Sequence, residues 1–295
     1  MRLDPFESVL AEFGSRFDAK ALEATITHWR SRARPAAGQQ MSVVADLAYG
    51  AHARHRLDVY PVDGRGAPVV LFVHGGGFIA GDKNLAPPFY SNIGRYLASY
   101  GIVAVCMNYR LAPDGGWPAA AEDVELAVRW LQDRAESYGG DARRLVAVGQ
   151  SAGACHVATW LLEPRFAGGA RESLAAAALL SGLYVAQAPL GPGPQAYFGT
   201  DADLYAARSP LNIARQVRHP VLVTIADHDP AHLHEQGHAF AAALMAAGTN
   251  LTFSELRHHN HVSPLMSMGS DNDEAGGLLR RFVADATAIQ KGNAP

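Results

Sequence analysis

The sequence predicts an α/β protein built on a mostly parallel sheet of eight strands, flanked by helices. Three observations lead there. Short continuous apolar runs, such as Val69-Val70-Leu71-Phe72-Val73 and Ile102-Val103-Ala104-Val105-Cys106, are the mark of strands covered on both faces. These runs alternate with longer stretches of helical period, the strand–helix rhythm of a doubly wound sheet. The chain has 295 residues with 48% hydrophobic and 18% charged content, enough to bury a sizeable core and unlike a disordered or fibrous chain.

Residues 1 to about 40 read as two amphipathic helices, at 6–13 and 19–33, set before the sheet. Residues 43–49 and 56–60 alternate apolar with polar, as half-buried antiparallel strands do. Strands are expected at 69–73, 102–106, 145–148, 176–180, 221–225 and 251–256, the last alternating again. Helices are expected at 89–99, 119–136, 152–162, 231–247 and 273–289. In the second of these, Val124, Ala127, Val128 and Leu131 form one apolar stripe. Residues 183–212 join two sheet strands through a Pro- and Gly-rich stretch, Ala188-Pro189-Leu190-Gly191-Pro192-Gly193-Pro194. A connection that long serves a lid or binding role when it is ordered.

Composition excludes several functions. Lys plus Arg is 25 against Asp plus Glu 28, a formal net charge of -3, so the basic surface that phosphate backbones require is missing. Arg30, Arg32 and Arg34 read as a solvated helix end, and no nucleic-acid partner is expected. Met1-Arg2-Leu3-Asp4-Pro5 leads into no secretory pattern, and no apolar run approaches the roughly 20 residues a bilayer crossing takes. Cys106 and Cys155 have neither disulfide-framework nor zinc spacing. The expected setting is cytoplasmic, without a membrane partner.

Chemistry concentrates in two loops. Gly149-Gln150-Ser151-Ala152-Gly153 directly follows the strand at 145–148 and directly precedes the helix opening at 152. This is G-x-S-x-G in the strand–turn–helix setting that presents a serine hydroxyl above a sheet edge, at a helix N-terminus that favours developing negative charge. His74-Gly75-Gly76-Gly77-Phe78 follows the strand at 69–73. Consecutive glycines let backbone N–H groups converge on one oxygen, with the N–H of Ala152 as a further donor. Gly75, Gly77 and Ala80 also fit G-x-G-x-x-A, but Pro87-Pro88 delays the helix and no acid precedes Asp114 at the required place, which argues against a dinucleotide.

A serine nucleophile needs a base, and the base needs a carboxylate to fix its tautomer. Asp227 and Asp229 follow the strand at 221–225. Asp229 is favoured because Pro230 can open the next helix and Asp229 lies deeper in the loop. His258, His259 and His261 follow the last strand, and spacing leaves all three open. His232, His234 and His238 have metal-like spacing, with 234 and 238 on one helix face, but no zincin motif surrounds them, so no metal and no organic cofactor are expected. Cys155 reads as buried packing and Arg110 as a tie between loops. Tyr184, Tyr197, Phe198 and Tyr205 either wall an apolar pocket or anchor the 183–212 connection.

From about residue 42 the chain resembles an alpha/beta-hydrolase of the hormone-sensitive-lipase-like and arylformamidase-like esterase group. The resemblance rests on His74-Gly75-Gly76-Gly77, Asn108-Tyr109-Arg110-Leu111-Ala112-Pro113, Trp117-Pro118-Ala119-Ala120, Gly149-Gln150-Ser151-Ala152-Gly153, Asp229-Pro230 and His259-Asn260-His261-Val262-Ser263. It implies the alpha/beta-hydrolase fold, with residues 1–40 a helical cap segment, 41–295 the catalytic domain and 183–212 contributing to the cap. It selects His261 as the base, with His259 in reserve, and Gly76 and Gly77 beside Ala152 as oxyanion donors. The implied activity is hydrolysis of small or medium acyl carboxylic esters. An arylformamidase or other amidase is the alternative, and a non-catalytic binding module the minor one. The implied partner is a small-molecule ester or amide, and a homodimer is compatible. Gln150 departs from the group, where Asp or His is frequent, and Gly115-Gly116 departs before Trp117.

Overall fold

A computed structural model describes residues 5–32 and 42–291. Two helices come first, α1 (Pro5–Phe13) and α2 (Ala19–Arg30). The carboxylate of Asp18 accepts the Ala21 N–H at 2.9 Å and so caps α2. The expected boundary at 40/41 and Arg34 lie outside the described residues.

The α/β core follows in the order β1 (Val44–Ala48), β2 (Arg56–Tyr60), β3 (Ala67–Val73), α3 (Ser91–Ser99), β4 (Val103–Met107), α4 (Ala119–Arg134), β5 (Gly140–Gln150), α5 (Ala152–Leu162) and β6 (Leu174–Leu180). The short helices α6 (Pro192–Phe198) and α7 (Tyr205–Arg208) fall in the connection to β7 (Val221–His228). The chain then adds α8 (Ala231–Ala246), β8 (Leu251–Asn260), α9 (Ser263–Met266) and α10 (Glu274–Lys291). The eight strands form one sheet in the order β1-β2-β4-β3-β5-β6-β7-β8. β1–β2 and β2–β4 pair antiparallel, and every other pair is parallel.

The continuous apolar runs are explained by two cores. In β3, Val69, Leu71 and Val73 pack with Val124 and Val128 of α4 and Val157 of α5. Val70 and Phe72 point the other way and pack with Ile93 and Leu97 of α3 and with Leu279 and Val283 of α10. Alternate side chains therefore serve opposite faces, and both are dry.

The outer strands differ from expectation. β1 is almost wholly exposed rather than half-buried, because it is the sheet edge. β2 is buried almost throughout, since β1 and β4 flank it. Its Asp58 is satisfied by Lys83 Nζ at 2.8 Å and by Asn84 Nδ2 at 2.9 Å. β8 runs on past the expected end at 256 to Asn260, and its polar residues are tolerated because it too is an edge.

The aromatic residues of the 183–212 connection anchor it. Tyr184 stacks on Phe240 of α8 at 4.1 Å, Tyr197 stacks on Phe78 at 4.7 Å, and Phe198 and Tyr205 are buried beside them. No described helix is long and apolar enough to cross a membrane.

α1 and α2 pack over the turn that follows β8. Phe6, Leu10 and Trp29 form a small core with Phe89, Val262 and Met266. Asn260 Nδ2 donates to Thr25 Oγ1 at 2.7 Å, joining α2 to the end of β8, and both residues are buried. Thr25→Val leaves that amide without its acceptor. The variant is expected to lose about 1–3 kcal/mol of stability, read as a lower urea midpoint at unchanged slope.

Candidate active site

Four parallel strands, β5, β6, β7 and β8, deliver the residue that follows each of their carboxyl ends to one edge of the sheet. β5 ends at Gln150 and α5 begins at Ala152, so the whole turn is Ser151, at φ 56° and ψ -120°. That left-handed φ is strained for a residue with a side chain, by roughly 1–3 kcal/mol. Two close approaches hold it. A Cβ at Gly153 would stand 2.1 Å from the Val73 carbonyl oxygen, and one at Gly149 would stand 2.4 Å from the Gly153 oxygen. The Ser151 N–H is also fixed, donating to the Leu180 carbonyl at the end of β6 at 2.9 Å.

His261 lies one residue beyond β8. Its Nε2 is 2.8 Å from Ser151 Oγ, and its Nδ1 is 2.7 Å from Asp229 Oδ1. The other carboxylate oxygen of Asp229 accepts Ser181 Oγ at 2.7 Å and the Ala226 N–H at 2.8 Å. Burial pushes the Asp229 carboxyl upward, but the hydrogen bonds and charge from His261, the Ala226 N–H and Ser181 outweigh it and hold the group below the usual carboxylate range. A carboxylate kept ionised against Nδ1 fixes the tautomer in which Nε2 is free to accept a proton.

The neighbouring residues have other partners. Asp227 accepts the N–H groups of His258 at 2.8 Å and His259 at 3.0 Å, so it orders the turn. His259 Nδ1 meets Ser263 Oγ at 2.8 Å, and its buried ring stacks on Trp29. Exposed His258 pairs with Glu7 of α1 at 2.6 Å. Arg110 bonds Asp123 Oδ1 at 2.8 Å and the Ala119 carbonyl at 2.9 Å, tying the 108–113 loop to α4. Cys155 is buried on α5, its thiol pushed up to about 12 by burial.

The loop after β3 runs beside the serine. His74 is buried, its Nδ1 donating to the Gly75 carbonyl at 2.6 Å while Tyr109 stacks on its ring at 4.4 Å. Gly76 and Gly77 take φ of 138° and 59°. The α6 backbone seals one side of this loop, for a Cβ at Gly193 would lie 2.1 Å from the Gly77 oxygen. Ala152, the first residue of α5, carries an N–H with no acceptor inside the helix. Above His261 sits Phe17, from the link between α1 and α2, with ring centroids 4.7 Å apart and the residue 45% exposed.

Ser181 escaped the sequence reading, and Gln150 was singled out there without its partner. Ser181 carries a bond to Asp229, and its only sequence signal is that it is the first polar residue after the apolar run at 176–180. Gln150 Nε2 donates to the His261 carbonyl at 3.0 Å, bridging the ends of β5 and β8. Nothing in the sequence links positions 150 and 261.

Comparison with known proteins gives the family of the chain. The prolyl oligopeptidase family model matches residues 118–284, and the BD-FAE model matches 57–162. The ethyl acetate hydrolase of Pseudomonas putida is 32% identical over 229 residues, which is 70% of this chain and 68% of that protein. The chain belongs to the α/β-hydrolase carboxylesterase family. A second relative, the probable isoprenylcysteine alpha-carbonyl methylesterase ICMEL1 of Oryza sativa subsp. japonica, is 41% identical over 122 residues, and the chain spans only 28% of its length. The likeness in fold is broader: esterase B from Lactobacillus Rhamnosis (HN001) superposes with a TM-score of 0.75 at 19% identity, covering 97% of this chain and 98% of that one.

In this α/β-hydrolase His74, His156 and His259 are buried and held neutral. Burial lowers His74 to about 4, His156 to about 3 and His259 to about 4. In the unfolded chain each ionises near 6.5, so between pH 6.5 and 4 the unfolded state binds protons that the folded state does not. Stability is therefore full above pH 6.5 and falls as the pH drops to 4, with a slope approaching about 1.4 kcal/mol per unit for each histidine. The lowered pKa of Asp229 works in the same direction below 3.8, the ordinary value. Unfolding midpoints measured from pH 8 to 4 are expected to decline steeply below 6.5; a flat profile would contradict the burial of these rings.

Proposed function

We propose that this protein is a serine hydrolase that cleaves small or medium acyl carboxylic esters through an acyl-enzyme. The observation that carries the reading is the chain Ser151 Oγ–His261 Nε2, His261 Nδ1–Asp229 Oδ1, closed at 2.8 and 2.7 Å. Ser151 attacks the ester carbonyl carbon while His261 Nε2 takes its proton. Asp229 stabilises the imidazolium that forms and keeps the ring from turning. The N–H groups of Gly76, Gly77 and Ala152 hold the oxygen that becomes negative, and the N-terminal end of α5 favours that charge. His261 returns its proton to the leaving alcohol oxygen. Water then attacks the acyl-Ser151 with His261 again as base, releasing the acid and restoring the serine.

Ser181 and Gln150 act through their neighbours. Ser181 holds the far oxygen of Asp229, and Gln150 fixes the backbone of His261. Phe17, partly exposed against the ring of His261, supplies apolar surface for an acyl or alcohol group rather than a charged one. Free, buried Cys106 and Cys155 are in keeping with work in the cytoplasm.

With a short p-nitrophenyl ester, Ser151→Ala is expected to remove turnover while leaving the unfolding transition in place. His261→Asn does the same, whereas His259→Asn retains turnover. Asp229→Asn lowers kcat by roughly 10⁴-fold, because the amide favours the wrong tautomer. Inactivity of His259→Asn with an active His261→Asn would overturn the assignment. A much larger kcat/KM for an N-formyl arylamide than for the ester would replace the ester with an amide as substrate.

A further inference from the structure

Outside this site, the structure adds a third ligating side chain to the His234 and His238 pair that the sequence placed on one helix face. His234 and His238 lie one turn apart on the same face of α8, their rings 4.9 Å between centroids. Glu255 comes from β8, and its Oε1 is 3.7 Å from His234 Nε2. One ligand atom from each of the three lies within 4.8 Å of the other two. We propose that His234, His238 and Glu255 form a binding site for a divalent transition metal, of which Zn²⁺ is the best fit, that braces α8 against β8.

The backbone prepares this meeting. Gly237 lies between the two histidines, and a Cβ there would stand 2.3 Å from Ile225 Cγ2. Ile225 is the β7 residue in register with Glu255. The absent side chain at 237 thus seats this turn of α8 directly on the rung of the sheet that carries the carboxylate. Phe253, two residues before Glu255 on β8, sets the second ring, with its centroid 5.0 Å from that of His238.

The donor set decides which cation fits. Two imidazoles and one carboxylate suit zinc and its neighbours, whereas calcium and magnesium take oxygen shells. Zinc–ligand bonds of about 2.0–2.1 Å put tetrahedral ligands about 3.3–3.4 Å apart. His234 is half-buried while His238 and Glu255 are exposed, so small rotations of free side chains close the remaining gap. Three protein ligands leave the fourth position to water. A plain ion pair accounts for less: 3.7 Å is too long for a hydrogen bond between His234 and Glu255, and such a pair has no use for His238. His232, the third histidine of the cluster expected to bind nothing, stays outside the group.

The brace joins the helix that begins just after Asp229 to the strand that ends just before His261, so its effect falls on stability rather than on bond breaking. Protein stripped with EDTA is titrated with Zn²⁺ against a chromophoric chelator, and unfolding midpoints are recorded with Zn²⁺, with Mg²⁺ and with EDTA. Wild-type protein is expected to take up one equivalent of Zn²⁺ at micromolar free metal and to unfold a few degrees higher with it, with no response to Mg²⁺. His238→Ala and Glu255→Gln lose both the uptake and the shift while matching wild type in EDTA, and His232→Ala keeps both. Absence of uptake by wild type, or uptake that survives in His238→Ala and Glu255→Gln, would overturn the proposal.

Discussion

Where β5 gives way to α5 there is no room for a side chain at position 153. A Cβ there would meet the carbonyl oxygens of Val73 at 2.1 Å and His74 at 2.6 Å, so the N-terminal turn of α5 lies directly against the end of β3. That contact forces the strand-to-helix reversal into a single residue and puts Ser151 at a positive φ, with its hydroxyl standing off the sheet edge. It also sets the first N–H of α5 beside the loop that begins at His74. One close approach therefore brings together the serine and the loops on either side of it.

The rest of the site is supplied by strand order. β5, β6, β7 and β8 are successive parallel neighbours, so the residues leaving their carboxyl ends, Ser151, Ser181, Asp229 and His261, arrive side by side although 110 positions separate the first from the last. Asp229 can stay ionised while buried because each carboxylate oxygen has a donor. The same economy governs the other buried histidines. His74 and His259 gain a hydrogen bond to Gly75 and Ser263 but no carboxylate partner, so burial keeps them neutral.

Legibility in the sequence follows the range of the interactions. The elbow at Ser151 was plain because its cause is local: glycines two residues away on either side, between an apolar strand and a helix. Asp229 could be separated from Asp227 by the adjacent Pro230. The turn at 258–263 could not be resolved from its own residues, because what orients it is distant: Asp227 on the His258 and His259 amides, Thr25 on Asn260 and Gln150 on the His261 carbonyl. Resemblance to a family, not spacing, singled out His261. Long-range pairing also explains the misjudged edges. β1 alternates in sequence but lies at the sheet margin, and nothing in the sequence sets Glu255 of β8 beside His234 and His238 of α8.

The central claim is that the hydroxyl at 151 is a nucleophile made reactive by its neighbours. A p-nitrophenyl alkylphosphonate, which bonds to an activated serine and stays, tests this without assuming any natural substrate. Peptide mass analysis of the treated protein is expected to place a single phosphonyl group on Ser151, with none on the His261→Asn variant under the same conditions. Folded protein that remains unlabelled, or that carries the group on another side chain, would contradict the account.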